Sequence, residues 1–267
     1  MQLTAAVSPC PNDTFIVHGL VSGAVSVPGV AFDWSFEDVE TLNRAAIGQR
    51  SDLTKLSFHA YLLVKDTYRL LRAGAALGFG CGPIAVSKTP IHRAELSTLR
   101  IAIPGELTTA HLLFRLFCPE AENKVFVRYD DIVPAVKRGD AEVGVIIHED
   151  RFTYQAEDLV KMIDLGDWWE KETGAPIPLG CLALRRSLAD ELAEPLEAQI
   201  RNSITAARDN FKRALPFIRS HARQMDESVL TRHIDTFVND YSLDLGTDGD
   251  RAVDALERMA RRAQVIP

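Results

Sequence analysis

A histidine at the end of an apolar strand pattern is the residue best placed for proton chemistry. His148 directly follows the run VGVII and begins the segment HEDRF. An imidazole with a pKa near ~6.5 exchanges protons at neutral pH. A histidine that only makes a structural hydrogen bond at a strand terminus is the competing interpretation. We take His148 as a candidate general base that projects into a cleft beyond its strand.

A second candidate is the cysteine held between two prolines in SPCPNDTF, residues 8–15. The prolines restrict the backbone to an extended turn, and Asn12, Asp13 and Thr14 offer caps for a following helix. The sequence shows no base next to the thiol, so we expect no covalent role for Cys10. The stretch instead predicts a wall of the cleft, with Asn12 and Thr14 as candidate ligand contacts.

Small polar residues also follow two other strand patterns, at predicted helix starts. These are Ser57 in KLSFHAY and residues 108–110 in PGELTTAHLL. The first explanation is N-capping, since Ser and Thr oxygens accept hydrogen bonds from the first amides of a helix. If such N-termini converge, their dipoles and free amides would favour an anion by ~0.3–1 kcal/mol each. A carboxylate site is the alternative interpretation.

The elements that would position these residues form two similar α/β units. Residues 39–58 carry a helix, a glycine, an acidic residue and a strand that ends at Ser57, and residues 132–149 repeat this order up to His148. Ligands of open α/β sheets collect at the carboxyl ends of strands. The pattern predicts a two-lobe α/β fold with a ligand cleft between the lobes.

Two extended runs predict where the chain crosses between lobes, Ser87 to Pro90 and Pro176 to Arg186. We therefore assign residues 1–88 and 183–267 to lobe 1 and residues 89–182 to lobe 2. The C-terminal region is almost wholly helical in pattern, and we expect it to pack on lobe 1.

Composition narrows the class of protein. The chain has 267 residues, 46% of them hydrophobic, and a net charge of −7 with no basic block, which argues against nucleic acid as a partner. No apolar run approaches the roughly 18 residues of a membrane span, and the start MQLTAAVSPCPND lacks the features of a secretion signal, so we expect a cytoplasmic protein without a membrane partner. No pattern predicts the oligomeric state.

Metal and nucleotide motifs are missing from the sequence. The four cysteines form no C-x-x-C pair, and Phe152 stands where an H-E-x-x-H motif would need its second histidine, so we predict no metal site.

His59, beside Ser57, is a weaker candidate for the cleft, and the roles of Trp168 and Trp169 stay open. Other histidines fall within helical patterns and are expected to be surface or packing residues: His18, His111, His221 and His233.

Five segments together resemble the 1,4-dihydroxy-6-naphthoate synthase family of the futalosine route to menaquinone. They are SPCPNDTF, KLSFHAY, GFGCGPI, PGELTTAHLL and GVIIHEDRFTY, and the likeness spans about residues 3–185. The resemblance implies a cytosolic enzyme with the two-lobe fold of type II periplasmic binding proteins. It also implies a reaction that needs no metal or organic cofactor.

The resemblance further implies a reaction and a site. Members of the family are carbon–carbon lyases that convert cyclic dehypoxanthine futalosine, a small carboxylate, to 1,4-dihydroxy-6-naphthoate and a three-carbon fragment. Carried over by motif, His148 is the proton acceptor, and two segments bind the substrate: Lys55, Leu56 and Ser57, and Thr109 with Ala110.

Two other functions compete with this interpretation. The chorismate dehydratase of the same pathway shares the fold, but the SPCPNDTF opening and the IIHE strand end favour the synthase. A non-catalytic binding protein for a small carboxylate is disfavoured by His148 and by the expected absence of a signal peptide.

Overall fold

The chain forms a two-sheet α/β structure, seen in a computed structural model that describes residues 1–223 and 226–267. Its strands are β1 Gln2–Val7, β2 Ala31–Phe36, β3 Leu53–Ser57, β4 Tyr68–Leu70, β5 Ala76–Gly78, β6 Ile84–Ser87, β7 Ile101–Ile103, β8 Lys124–Phe126, β9 Val143–Ile146, β10 Val160–Asp164 and β11 Ile177–Arg185. Its helices are α1 Pro11–Val21, α2 Val39–Ile47, α3 Phe58–Val64, α4 Thr109–Phe117, α5 Ile132–Arg138, α6 Asp150–Thr153, α7 Leu165–Thr173, α8 Arg186–Asp209, α9 Phe211–His221, α10 Glu227–Phe237, α11 Asp240–Leu243 and α12 Gly246–Arg262. Within these described residues, no helix is both long enough and apolar enough to cross a bilayer.

The first sheet has the strand order β2-β1-β3-β11-β4, and β5 pairs with β11 outside this path. β1 runs parallel to β2 and to β3, whereas β11 runs antiparallel to β3, β4 and β5. Parallel neighbours need crossover connections, which α1 and α2 supply. The carboxyl ends of β1 and β3 therefore meet at one edge, where the SPCPNDTF turn and Ser57 lie.

The second sheet has the order β10-β6-β9-β7-β8. β7 runs parallel to β8 and β9, and β6 runs antiparallel to β9 and β10. The pair α5 and β9 repeats the order of α2 and β3, so the predicted two-unit α/β architecture is confirmed. β9 ends at Ile146, which leaves His148 in the loop just beyond the sheet.

The chain changes sheets earlier than the sequence pattern suggests. β6 already pairs within the second sheet, so sheet membership changes before Ser87 to Pro90. β11 belongs to the first sheet from Ile177 onward, before the expected boundary at residue 183. The division into lobes at 1–88, 89–182 and 183–267 stays a prediction about folding units.

Close packing of two backbones explains why one position of GFGCGPI is a glycine, at the point where the chain first passes from one sheet to the other. A Cβ on Gly82 would collide with the backbone of Gly166, at the start of α7. The backbone of Gly82 can approach that of Gly166 because neither residue carries a side chain.

α1 is a buried helix in the half of the molecule built on the first sheet. Its residues from Pro11 to Leu20 are buried, and α8, α9 and α10 pack around it. Proline suits its first position because that amide has no partner inside the helix. Ser203 of α8 approaches closely enough for its hydroxyl to accept a hydrogen bond from the Gly19 amide at 2.8 Å. The helices α8, α9 and α10 thus lie against the first-sheet half.

Candidate active site

A cleft with about 700 Å³ of empty space, partly open to solvent, lies where residues from both sheets meet. Seven of the eight predicted site residues line it: His148, Lys55, Leu56, Ser57, Thr109, Ala110 and Asn12.

His148 faces the cleft from the loop after β9. Its backbone has φ of 56°, the left-handed conformation that few residues other than glycine adopt. The half-buried ring meets the Tyr129 ring edge-on, with centroids 4.9 Å apart. Burial lowers the pKa of His148, although the carboxylates of Glu149 and Asp13 act in the opposite direction. The ring is therefore neutral at pH 7 and able to accept a proton.

Cys10 lies behind this histidine. Its sulfur is 3.4 Å from His148 Nδ1 and 3.6 Å from Nε2, so it sits between the two nitrogens rather than in line with either. Burial, and then the charges of Glu149 and Asp13, raise the pKa of the Cys10 thiol well above its ordinary value. Since the nucleophilic form is the thiolate, this cysteine is poorly suited to attack a substrate.

A buried ion pair forms the floor of the cleft. Lys55 Nζ donates to Asp13 Oδ1 at 2.5 Å, and both side chains are nearly inaccessible to solvent. The Ser8 hydroxyl donates to the other oxygen of Asp13 at 2.5 Å. Gly180 makes room for the lysine, because a Cβ there would lie 3.0 Å from Lys55 Cε. Asp13 was expected as a helix cap, but it lies in the first turn of α1 and holds this charge instead.

Ser57 occupies the N-cap position of α3 without a capping hydrogen bond from its side chain. Its hydroxyl accepts a hydrogen bond from Asn43 Nδ2 at 3.1 Å, and its amide donates to Asn43 Oδ1 at 2.9 Å. The same amide nitrogen of Asn43 reaches the Leu107 carbonyl at 3.2 Å. The fully buried Asn43 thereby connects the end of β3 to the loop before α4. The capping interpretation of Ser57 is thus wrong.

The N-terminus of α4 is capped as predicted, by Thr108, whose hydroxyl accepts from the His111 amide at 3.2 Å. The Thr109 hydroxyl donates to the Leu179 carbonyl at 2.8 Å. The amides of Thr109 and Ala110 belong to the first turn and have no intrahelical acceptor. With the helix dipole, they give this wall of the cleft a site for an anionic group.

Asn12 and Thr14 have different places. Asn12 lines the cleft, but both ends of its side chain have protein partners, Asp13 Oδ1 at 2.9 Å and His233 Nε2 at 3.0 Å. Thr14 is fully buried within α1, and its hydroxyl donates to the Cys10 carbonyl at 3.0 Å. Thr14 is therefore not a cleft residue, because its position in the first turn directs its hydroxyl back to the helix start.

His233 of α10 is a cleft residue that the sequence pattern did not single out. It was expected on the surface or in packing, yet it is 1% exposed and lines the cleft beside His148. The two rings are nearly parallel, with centroids 6.2 Å apart. No local signal separates it from the other helical histidines, because only the docking of α10 on α1 brings it to the site.

The remaining candidates lie outside the cleft wall. His59 is buried with its Nδ1 3.2 Å from the Thr108 carbonyl, and burial lowers its pKa to about 4. Trp169 is fully buried and donates to the Pro176 carbonyl at 3.1 Å, while Trp168 packs edge-on against Phe117. The tryptophans are thus structural.

Arg151 is a further cleft residue that was not foreseen. Its guanidinium pairs with Asp164 at 2.8 Å and donates to the Gly80 and Gly82 carbonyls. It holds the glycine-rich segment at the edge of the cleft. Over residues 1–223 and 226–267, no group of three or more His, Cys, Asp or Glu side chains is arranged to hold a metal ion.

The fold defines the class of protein. The periplasmic aliphatic sulphonate-binding protein SsuA of Escherichia coli superposes with a TM-score of 0.67 at 11% identity, over 100% of this chain and 88% of that one. At this identity the likeness concerns the fold alone. The chain thus has the periplasmic-binding-protein-like α/β fold that the resemblance implied.

The sequence comparisons identify the family. The model described as "Menaquinone biosynthesis" matches residues 3–262, and the chain belongs to this family. It is 47% identical over 251 residues to a Thermus thermophilus protein named "1,4-dihydroxy-6-naphtoate synthase", with 94% of this chain and 91% of the relative covered. A Streptomyces coelicolor protein of the same name is 39% identical over 271 residues, 99% of this chain and 95% of the relative. The resemblance read from the five segments is confirmed.

Proposed function

We propose that this protein is a carbon–carbon lyase that converts cyclic dehypoxanthine futalosine to 1,4-dihydroxy-6-naphthoate and a three-carbon fragment. The names of the two relatives support this reaction. The structural observation that supports it best is the placement of His148 in a cleft that is also lined by Lys55, Ser57 and the start of α4.

The N-terminus of α4 is suited to hold the ring carboxylate of the substrate. The free amides of Thr109 and Ala110 and the helix dipole attract an anion there. Lys55 is held by Asp13, so its charge is largely neutralised and it serves to shape the floor of the cleft. Leu56 and Ser57 also line the cleft.

His148 acts as the general base in this proposal. Its neutral ring removes a hydroxyl proton, the oxygen electron pair forms a carbonyl, and the adjacent carbon–carbon bond breaks. The released electron pair enters the ring system, which becomes aromatic as naphthoate forms. A positioned base of this kind contributes ~10² to 10⁴-fold to the rate.

The proposed reaction uses the side chains of the protein without a metal or an organic cofactor. We place it in the cytoplasm, because all four cysteines are free thiols, as expected in a reducing compartment.

The test is incubation of the purified chain with cyclic dehypoxanthine futalosine, followed by mass spectrometry. We expect 1,4-dihydroxy-6-naphthoate with the wild type and none with heat-denatured protein. A parallel reaction with chorismate tests the dehydratase alternative, and we expect no turnover there. Binding of the futalosine derivative without any product would overturn the lyase assignment in favour of a binding protein.

A further inference from the structure

The buried side chains behind His148 form a chain of hydrogen bonds with a fixed direction. Lys55 Nζ donates to Asp13 Oδ1, and Asn12 Nδ2 donates to the same oxygen at 2.9 Å. A carboxylate only accepts hydrogen bonds, so the amide of Asn12 must face Asp13 with its nitrogen. Its oxygen then faces His233 Nε2 at 3.0 Å.

This direction determines the tautomer of His233. An amide oxygen only accepts, so Nε2 must be the protonated nitrogen of the ring. Burial first, and then electrostatic repulsion from His148 and Lys55, lower the pKa of His233 well below its ordinary value, which keeps the ring neutral. In a neutral ring with the proton on Nε2, Nδ1 carries a free lone pair.

His233 Nδ1 has no partner among residues 1–223 and 226–267, although it is buried. A buried acceptor without a partner is unfavourable, and a ligand that supplies a donor removes this penalty. The His233 ring lines the same cleft as the His148 ring. The two rings are nearly parallel, and their centroids are 6.2 Å apart. Phe237 packs on it, with ring centroids 4.7 Å apart, and limits its freedom to turn away.

We propose that His233 contacts the substrate as a second neutral imidazole, whose Nδ1 accepts a hydrogen bond from a substrate hydroxyl. The inference rests on the proposed function, since the lyase substrate supplies that hydroxyl. His148 removes the reacting proton, whereas His233 holds a hydroxyl in place without changing its own protonation state. Asp13 and Asn12 orient the His233 ring through Nε2, as positioning residues.

Two substitutions distinguish a role of His233 in substrate contact from a role only in supporting the Asn12 side chain. In His233→Asn, the side-chain oxygen can take the place of Nδ1 while the donor to Asn12 is lost. In His233→Gln, the terminal amide can still donate to Asn12 but no acceptor stands at the Nδ1 position. Substrate contact predicts that H233Q loses about 10-fold or more in kcat/KM while H233N keeps the larger part of it. The exposed His92 supplies the matched control, H92Q, which should equal the wild type.

Turnover of cyclic dehypoxanthine futalosine and substrate affinity by calorimetry are measured for each variant, with Tm as a check of folding. Wild-type activity in H233Q, or a larger loss in H233N than in H233Q at equal Tm, would overturn the contact and leave His233 as support for Asn12. If either variant fails to fold, the loss in the other one, relative to H92Q, decides between the same two outcomes. Absence of product from the wild type would instead count against the lyase function itself.

Discussion

His148 combines accessibility with a neutral ring. It reaches the cleft because its left-handed backbone turns the loop after β9, and burial keeps its pKa low against the pull of Glu149 and Asp13. Such a backbone costs a non-glycine residue on the order of 1–3 kcal/mol.

The pH dependence of the reaction follows from this pKa. In the proposed mechanism, protonation of His148 removes the base, and burial holds the pKa of His148 below the ordinary 6.5. We expect kcat/KM to be constant around pH 7 and to fall about tenfold per pH unit only at pH values below 6.5. A pH series of initial rates checks this. A fall of kcat/KM with its midpoint above pH 6.5 would show that burial does not determine the pKa of His148.

Cys10 is predicted to be dispensable for chemistry. Because burial keeps it as a thiol, we expect Cys10→Ser to retain kcat within about threefold. Steady-state kinetics provide the measurement, and the buried Cys181 offers a matched control as Cys181→Ser. Complete loss of activity in C10S with an unchanged Tm would require a covalent or acid–base role for the thiol.

At the scale of single residues, the sequence alone singled out His148, Ser57 and residues 108–110 as candidates for the cleft, because they follow predicted strands or begin predicted helices. Asp13 was expected as a cap and His233 as a packing residue. The role of Asp13 depends on Lys55, which is 42 residues away along the chain. The place of His233 depends on its hydrogen bond to Asn12, which is 221 residues away. Local patterns carry no information on such pairs.

Among the elements, β3 and α1 are connected by the ion pair of Lys55 and Asp13. Breaking a buried pair leaves one charge without a partner and costs about 3–5 kcal/mol. We expect Lys55→Met to lower the free energy of unfolding by that amount, measured by urea denaturation, because Asp13 stays buried. The double variant K55M/D13N should recover part of the loss.

Lys65 supplies the matched control on the surface. It pairs with Glu257 at 2.6 Å but is 34% exposed in its side chain. Exposed pairs contribute about 0–1 kcal/mol, so Lys65→Met should change the free energy of unfolding little. Equal effects of K55M and K65M would contradict the proposed burial of the cleft floor.

The elements themselves were largely predictable. The repeated order of helix, glycine and strand indicated α2 with β3 and α5 with β9, because apolar periodicity and glycine stops are local signals. The sheet that each strand joins was not predictable, since an extended run does not reveal its pairing partners. The pairing of β6 and β11 is decided by contacts distant in sequence.

For the whole molecule, buried histidines predict sensitivity to acid. Five histidines have lowered pKa values, and those of His59 and His111 fall to about 4. The unfolded chain takes up these protons below pH 6.5 and the folded chain does not, so stability is complete above 6.5 and is lost toward pH 4. Asp150 acts in the opposite direction, because its pKa is raised to about 7.

We therefore expect Tm to fall by about 5 °C or more between pH 7.5 and pH 4.5. Scanning calorimetry at constant ionic strength gives the measurement. A Tm that stays constant or rises on acidification would mean that the buried rings are protonated in the folded state.

The fold class was predictable from the sequence, because two similar α/β units with polar strand ends imply a cleft between them. The sequence did not predict which residues the helices after β11 contribute to the site. α10 contributes His233 and Phe237 to the cleft from a region whose pattern indicated only helices.

The role of His148 as the base is tested most directly by His148→Ala, compared with the wild type and with H92Q. We predict substrate affinity within a few-fold of the wild type, since the α4 and β3 contacts remain, and kcat lower by at least ~10²-fold. Calorimetric binding and single-turnover rates with cyclic dehypoxanthine futalosine separate the two quantities. Near-normal turnover in H148A would remove His148 from the mechanism.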